Sequence, residues 1–500
     1  MKRKIKNGAG TAKSPKAKKR RSVVLEVIHI NPKYLEEKYE KEFKKGFEKS
    51  PFPHWQIRNF VENSDNVVEK VEEELQHFEN WSRKENDLYS LFQTDDFKSI
   101  DPTENPFIFS FRLNFDFHFK KNTLSFRQFL YTEVKEWLQK VSGVELTEQV
   151  DCNGSCYART DSLLPHNDLV SDSLKNFVIE TRRFAFVYYM TSANWDSEAN
   201  GGDLQLFNHD KSLQPTTVAT QFAPLRNSLI LFEVSEKSWH RVAEMISEEP
   251  RLSINGWFHS TRRLQPKKPA VESIRRFIPE NKCKLLKLIN KDFTTEKRQN
   301  EVQQIFSDNS ELNLNGFLLE NIHKEVFTEL VSNPSYFKTV GPVNKRHVAR
   351  LLEEKAAQLK TTSRIIECLK STTFARLAAK LTGVTVSGAQ TSVTVSRVEH
   401  GTYWVLGDED AEQSNADGYC LDLHLFVQEK QWGDDAGGNL IYIAEGETEE
   451  LLRISPSPNA ASIVFREPGV LSFMKFANCD STDPYFLFTV SFYNVRVVDE

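Results

Sequence analysis

The sequence predicts an α+β chain, mainly β, in which one jelly-roll or sandwich unit occurs twice. Three observations predict it. After Gly143 the apolar residues fall in short runs separated by Gly-Gly, Pro and Asn, the grammar of strands and turns rather than of helices. The segment Trp195-Asp-Ser-Glu-Ala-Asn-Gly201-Gly202-Asp203-Leu204 is echoed about 240 residues later by Trp432-Gly-Asp-Asp-Ala-Gly437-Gly438-Asn439-Leu440. Phe, a residue that suits strand-rich cores, occurs 36 times.

Residues 1–25 read as a basic tail. Between Met1 and Ser22 there are Lys and Arg in two clusters and no acidic residue. Such a segment has no apolar surface to bury, so it is expected to be disordered and to act as a bipartite import signal, placing the protein in nucleus and cytoplasm. Residues 26–262 form the first unit. Its helix opens at Ser125-Phe-Arg-Gln128, a capping-box pattern, and puts Phe126, Phe129, Leu130, Val134, Trp137, Leu138 and Val141 on one face. Strands follow at 184–189, 204–207, 228–232 and 252–257. Residues 263–305, charged and proline-punctuated at their start, read as a linker, and 306–500 as the second unit. The same offset relates Ser142-Gly143-Val144 to Thr382-Gly383-Val384, Leu229–Phe232 to Leu471–Met474, and the strand from Arg251 to the strand from Phe486.

Composition excludes several classes. At 500 residues, 39% apolar and 27% charged, the chain suits two or three globular domains. No apolar run reaches membrane-spanning length and no apolar segment follows the N-terminal charges, so neither a membrane nor a secreted protein is expected. The six cysteines include no Cys-x-x-Cys pair, which fits a reducing compartment and gives no zinc motif.

The chemistry lies in His166-Asn167-Asp168, His240 and Arg251. On a strand, positions i and i+2 share a face, so His166 and Asp168 can converge on one ion, with His240 completing the set. Two imidazoles and a carboxylate occupy one face of octahedral Fe(II) and leave the other open. The pair alone means little, because 12 histidines among 70 acidic residues give roughly two such triplets by chance. The other two, His77-Phe-Glu79 and His323-Lys-Glu325, fall in helical runs and read as helix surface. Arg251 opens an apolar strand, where a guanidinium needs a partner such as a bidentate carboxylate. Tyr157 and Tyr189 are positioned by sequence to donate hydroxyls to it, or equally to be core aromatics.

The second unit serves as an internal control. It keeps the Gly-Gly turn, the tryptophan and the strand residues, but none of its histidines starts a His-x-Asp pair. Phe486 matches Arg251, and Asn-Cys-Asp480-Ser-Thr482 stands around the position of His240. The expectation is a second unit that kept the fold and lost the metal.

These residues, with Phe-Glu-Val-Ser235 ahead of His240 and Arg251-Leu-Ser-Ile-Asn-Gly-Trp-Phe-His259, resemble the 2-oxoglutarate- and Fe(II)-dependent prolyl hydroxylases. More narrowly, nearly the whole chain after the tail resembles the two-domain ribosomal prolyl 3-hydroxylases, the family of the 2-oxoglutarate and iron-dependent oxygenase domain-containing protein and the yeast termination and polyadenylation protein. The resemblance implies tandem double-stranded β-helix domains with flanking helices, the first active and the second degenerate. It also implies Fe(II), 2-oxoglutarate, O₂ and L-ascorbate, with iron on His166, Asp168 and His240 and 2-oxoglutarate on Arg251, Tyr157 and Tyr189. The substrate it implies is a proline of the decoding-centre protein of the small ribosomal subunit, hydroxylated at C3, with translation termination factors and mRNA complexes as further partners. One departure from the family is the loop Leu169 to Thr181, longer than the pattern and placed to reshape the substrate entrance. Two other readings of the residues stand beside this one: oxidative demethylation of nucleic acid on the same fold, and a scaffold in translation or mRNA turnover.

Overall fold

The computed structural model describes residues 26–62, 64–78, 81–100, 121–169, 179–262 and 274–497. The basic tail and most of the loop Leu169 to Thr181 lie outside them. Among the described residues no helix is long and apolar enough to cross a membrane. In chain order the first half contributes β1 (His54–Arg58), β2 (Trp81–Glu85), β3 (Tyr89–Thr94), β4 (Val150–Tyr157), β5 (Ser162–His166), β6 (Ile179–Tyr189), β7 (Leu204–His209), β8 (Pro215–Phe222), β9 (Ser228–Glu233), β10 (His240–Val242) and β11 (Arg251–Arg262). The second half contributes β12 (Glu311–Asn315), β13 (Phe337–Val340), β14 (Arg346–Leu351), β15 (Val384–Thr385), β16 (Gln390–Val398), β17 (Tyr403–Trp404), β18 (Cys420–Val427), β19 (Leu440–Ala444), β20 (Glu450–Ile454), β21 (Ala460–Arg466), β22 (Val470–Met474), β23 (Tyr485–Tyr493) and β24 (Arg496–Val497).

The two halves share one topology. The first sheet runs β1-β9-β6-β11-β4-β3-β5-β10-β7-β8 with β2 beside β3, and the second runs β12-β21-β18-β23-β16-β14-β17-β22-β19-β20 with β13 beside β14. Each antiparallel sheet curls on itself, so that side chains of β6, β9 and β11 meet those of β5, β7 and β10 around one interior. The outer face of β4-β11-β6-β9 is covered by helices. Phe126, Phe129, Leu130, Val134, Trp137, Leu138 and Val141 all bury against it, as their spacing predicts. The helix is interrupted by a π-turn at Leu130–Val134 and ends at Gly143, whose φ of 72° suits glycine.

The capping box at Ser125 is a mistaken expectation. The helix already runs Lys121–Phe129, and the Ser125 hydroxyl donates back to the Lys121 carbonyl at 2.9 Å. The N–H groups at the helix start are instead accepted by a carboxylate from an earlier helix: Glu74 takes Asn122 N at 2.8 Å and Thr123 N at 2.7 Å. Glu329 does the same for Thr361 and Thr362 in the second half. The linker expected over 263–305 is also too long. Leu288, Phe293 and Val302 are buried in the second core, the last on the helix Glu296–Asn309. Of the two histidines assigned to helix surface, His77 lies just past its helix, which ends at Gln76, and His323 is buried.

Register corrects one of the repeat assignments. Asn227, with φ 53°, binds the Val61 backbone through both amide atoms at 2.9 and 3.0 Å, and Asn459, with φ 52°, binds Leu318 in the same way at 2.9 and 3.0 Å. These asparagines precede β9 and β21, which are therefore counterparts, so Leu229–Phe232 does not match Leu471–Met474. The latter lies in β22, whose counterpart is β10. Each asparagine satisfies a buried N–H and C=O that no strand neighbour reaches, so removing it leaves both unpaired. Asn227→Ala and Asn459→Ala are each expected to cost about 1–3 kcal/mol, read by chemical denaturation of the full chain.

Candidate active site

The triad comes together at one end of the first barrel. β10 pairs with β5 so that His240 lies opposite His166, with ring centroids 4.2 Å apart. Asp168 joins them differently from the sequence argument. β5 ends at His166, and Asp168 sits two residues beyond it with φ 62°, so a left-handed turn rather than strand alternation swings its carboxylate back. Asp168 Oδ1 lies 3.4 Å from His166 Nε2, and Oδ2 lies 3.5 Å from His240 Nε2. One ligand atom from each residue falls within 4.8 Å of the others, spacing that suits a single ion.

Hydrogen bonds fix both rings. His166 Nδ1 lies 2.8 Å from the Leu164 carbonyl and His240 Nδ1 lies 2.7 Å from the Ser238 carbonyl. A carbonyl only accepts, so each Nδ1 carries the proton and each Nε2 presents its lone pair. Trp257 Nε1 donates to Asp168 Oδ2 at 3.0 Å, and the Arg182 guanidinium stacks on the Trp257 ring at 3.6 Å. Ser238 ties the two loops together, its hydroxyl accepting from Ser235 N and reaching the Asn167 carbonyl at 2.9 Å. Burial and the His166 imidazole pull the His240 pKa down to about 4 against the attraction of Asp168. Burial works to raise the Asp168 pKa, but the imidazoles and the Trp257 indole outweigh it and leave the carboxyl below the usual carboxylate range. Near neutral pH the pair is therefore a carboxylate beside a neutral imidazole, the forms that bind metal.

Arg251 is 1% exposed and sits deeper in the same interior. Its Nε donates to the Gly202 carbonyl at 2.7 Å, its Nη2 donates to Tyr189 Oη at 3.1 Å, and the rings of Tyr157 and Tyr189 flank it at 5.0 and 4.9 Å. No carboxylate among the described residues pairs with it, those of the nearby Glu248 and Glu249 included. Burial raises both tyrosine pKa values above the ordinary range, so the phenols stay neutral donors. Both tyrosines are thus core aromatics that pack against Arg251, and Tyr157 also lines the cavity.

Sequence reasoning missed the rest of the β11 row. Arg251, Ser253, Asn255 and Trp257 alternate with the buried Leu252, Ile254 and Phe258 and all line one cavity of about 780 Å³ that also holds the triad. The polar residues at every second position carried this signal. Ser253 Oγ and Asn255 Oδ1 are buried with no hydrogen-bond partner among the described residues, as expected of groups awaiting a polar ligand. The donor set and these orphaned atoms fit a metal with a small dicarboxylate.

The second barrel lacks this set, though at other positions than the sequence comparison gave. Tyr485, not Phe486, replaces Arg251: its hydroxyl donates to the Gly438 carbonyl at 2.6 Å, as Arg251 does to Gly202. His240 faces Leu206 across β7, and Ser472 faces Tyr442 across β19, so Ser472 takes the place of His240 instead of the residues around Asp480. Asp422 pairs there with Arg466 at 2.9 Å, and His424 with the Tyr442 hydroxyl at 2.6 Å, a buried network occupied with itself.

Comparison with known proteins agrees with this geometry. The family described as 2OG-Fe(II) oxygenase superfamily matches residues 152–259, and that described as oxoglutarate and iron-dependent oxygenase degradation C-term matches residues 280–500. Fold and site together define a 2-oxoglutarate- and Fe(II)-dependent oxygenase. Prolyl 3-hydroxylase OGFOD1 of Xenopus laevis is 30% identical over 465 residues, covering 86% of this chain and 83% of that protein. The Mus musculus protein of the same name is 28% identical, covering 86% and 85%, and prolyl 3-hydroxylase sudestada1 of Drosophila melanogaster is 27% identical, covering 82% and 76%. The chain belongs to the OGFOD1 family of prolyl 3-hydroxylases.

Gly202 sets the position of Arg251. Its φ is 75°, and a Cβ there would lie 2.6 Å from Met245 Sδ and 2.9 Å from Arg251 Cδ. Gly202→Ala is expected to cost about 1–3 kcal/mol and to displace the guanidinium, measured by thermal unfolding with and without 2-oxoglutarate.

Proposed function

We propose that this enzyme hydroxylates C3 of a proline in the decoding-centre protein of the small ribosomal subunit, with ascorbate keeping its iron reduced, and that it works in nucleus and cytoplasm to tune translation accuracy or termination. The observation that carries the catalytic part is the convergence of His166, Asp168, His240 and Arg251 on one cavity. The substrate rests on the family resemblance of nearly the whole chain, and the localisation on the two basic clusters before Ser22.

His166, Asp168 and His240 would hold iron on one face. Bound there with 2-oxoglutarate and O₂, iron supplies the oxidising power to hydroxylate an unactivated C–H bond. Arg251 would take the distal carboxylate of 2-oxoglutarate, with the flanking tyrosine rings limiting access of water and the Tyr189 hydroxyl, which accepts from Arg251, free to donate to the same carboxylate. Ser253 and Asn255 offer the partners that their own strand leaves free. Trp257 holds one oxygen of Asp168 and so leaves the other for the metal.

Asp168→Ala is expected to lose bound Fe(II) and turnover while the chain stays folded, as read by metal analysis, 2-oxoglutarate consumption and circular dichroism. Retained activity would remove the iron assignment. Chelation should abolish activity reversibly, with Fe(II) restoring it. Arg251→Ala removes one side of a buried charged pair, worth about 2–5 kcal/mol, and should raise KM for 2-oxoglutarate about 30-fold or more. Mass spectrometry of ribosomal proteins from cells with and without this gene product tests the substrate: one proline should gain a single oxygen atom only where the gene product is present, and identical ribosomal proteins would overturn that reading.

A further inference from the structure

The cavity around the triad is not closed by the first barrel alone. Its far wall comes from two segments of the second domain, one carrying Asn344 and Lys345 and the other Val405, Leu406, Gly407 and Glu409. Val405 N donates to the Lys345 carbonyl at 2.8 Å, which binds the two segments together. Within this wall Lys345 Nζ pairs with Glu409 Oε1 at 2.8 Å, both side chains mostly buried.

Several contacts fix the wall in place. Leu406 N donates to the carboxylate of Asp87 at 2.8 Å, and Asn344 Nδ2 donates to Gln214 Oε1 at 3.3 Å. Tyr403 and Val405 pack on Leu164, whose carbonyl orients His166. Glu244 of the first domain accepts from Cys479 N at 2.6 Å and pairs with His400 at 2.6 Å. The joint is thus apolar packing reinforced by buried polar contacts, and the wall cannot move without disturbing the strand that bears His166.

The cleft is also larger than the co-substrate. At about 780 Å³ the cavity falls in the range that holds a drug-sized molecule, and a small dicarboxylic acid on Arg251 leaves most of it free. A proline within a polypeptide brings with it backbone carbonyls and N–H groups that must keep hydrogen-bond partners when they leave water. An ammonium with three protons and, beside it, a carboxylate with several lone pairs supply both kinds of partner side by side.

We propose that the second domain is part of the active site, and that Lys345 and Glu409 bind the polypeptide flanking the target proline in a cleft between the two barrels. Lys345 donates to a peptide carbonyl and Glu409 accepts from a peptide N–H. This deepens the reading of the preceding section and rests on it. The degenerate barrel is thereby given a task that requires no metal.

The test uses the full chain, recombinant decoding-centre protein of the small ribosomal subunit as probe, and hydroxylation read by mass spectrometry. Lys345→Ala and Glu409→Ala should each raise KM for that protein about ten- to a hundredfold and leave the affinity for 2-oxoglutarate within about twofold. The reciprocal exchange Lys345→Glu with Glu409→Lys re-forms the ion pair with donor and acceptor interchanged. It should recover thermal stability and leave KM raised. Single variants with the KM of the unmodified chain, or an exchange that restores KM, would overturn the inference by reducing the pair to a structural link. An unmodified chain that consumes 2-oxoglutarate but hydroxylates no proline of the probe would instead overturn the substrate reading, and this inference with it.

Discussion

Two imidazoles can serve one ion only if each aims an unprotonated nitrogen at it, and here a backbone carbonyl two residues earlier in the chain takes the Nδ1 proton of each ring and leaves Nε2 free. With Nδ1 committed to Leu164 and to Ser238, Nε2 of both histidines is aimed at Asp168. The rest of the site depends on this arrangement. The β5–β10 register brings the rings together, the left-handed backbone at Asp168 turns its carboxylate between them, and Trp257 holds that carboxylate from the opposite strand. Arg251 lies three alternations before Trp257 along the same face of β11, so one strand sets both the carboxylate's orientation and the buried charge proposed to receive the co-substrate.

The duplicated barrel separates what the fold needs from what the chemistry needs. Trp195 and Trp432 each donate to the carbonyl of the first glycine of their turn, at 3.2 and 2.7 Å, and all four turn glycines have positive φ. A Cβ on Gly201 or Gly437 would lie 2.1 or 1.9 Å from a backbone oxygen, so sterics alone preserves these positions. No such constraint protects the ligands. Where the first barrel carries Arg251, Tyr189 and His240, the second carries Tyr485, Phe426 and Ser472, and its interior is filled by the Asp422–Arg466 pair and a buried histidine. A cavity whose polar groups satisfy one another has little capacity left for a ligand. What the second barrel retains is its outer surface, and part of that surface faces the first barrel's cavity.

Much of this was readable from sequence, and the failures have identifiable causes. The apolar face of the helix ending at Gly143 follows from spacing, because only one face of a helix can reach the sheet. The triad follows from residue types, although a left-handed turn and not strand alternation places the Asp168 carboxylate. Capping at Glu74 and Glu329 was invisible because a carboxylate far away in the chain replaces the local Ser or Thr that sequence patterns seek. The pairing of Leu229–Phe232 with Leu471–Met474 failed because short apolar strands resemble one another; hydrogen-bonded register, fixed by Asn227 and Asn459, decides between them. The polar row of Ser253, Asn255 and Trp257 was present as an alternation, but its meaning required knowing which face of β11 turns inward. The contribution of Lys345 and Glu409 depends on how two domains dock, which no local pattern encodes.

The central claim is one working metal site in a two-barrel chain. A crystal structure of the full chain grown anaerobically with Mn(II) and 2-oxoglutarate, with the ion located by anomalous scattering, tests it most directly. One ion per chain is expected, bonded to Nε2 of His166, Nε2 of His240 and the Asp168 carboxylate, with the distal carboxylate of 2-oxoglutarate on Arg251. An ion bonded in the second barrel beside Asp422 and His424, or a triad that binds none while 2-oxoglutarate occupies the cavity, would contradict it.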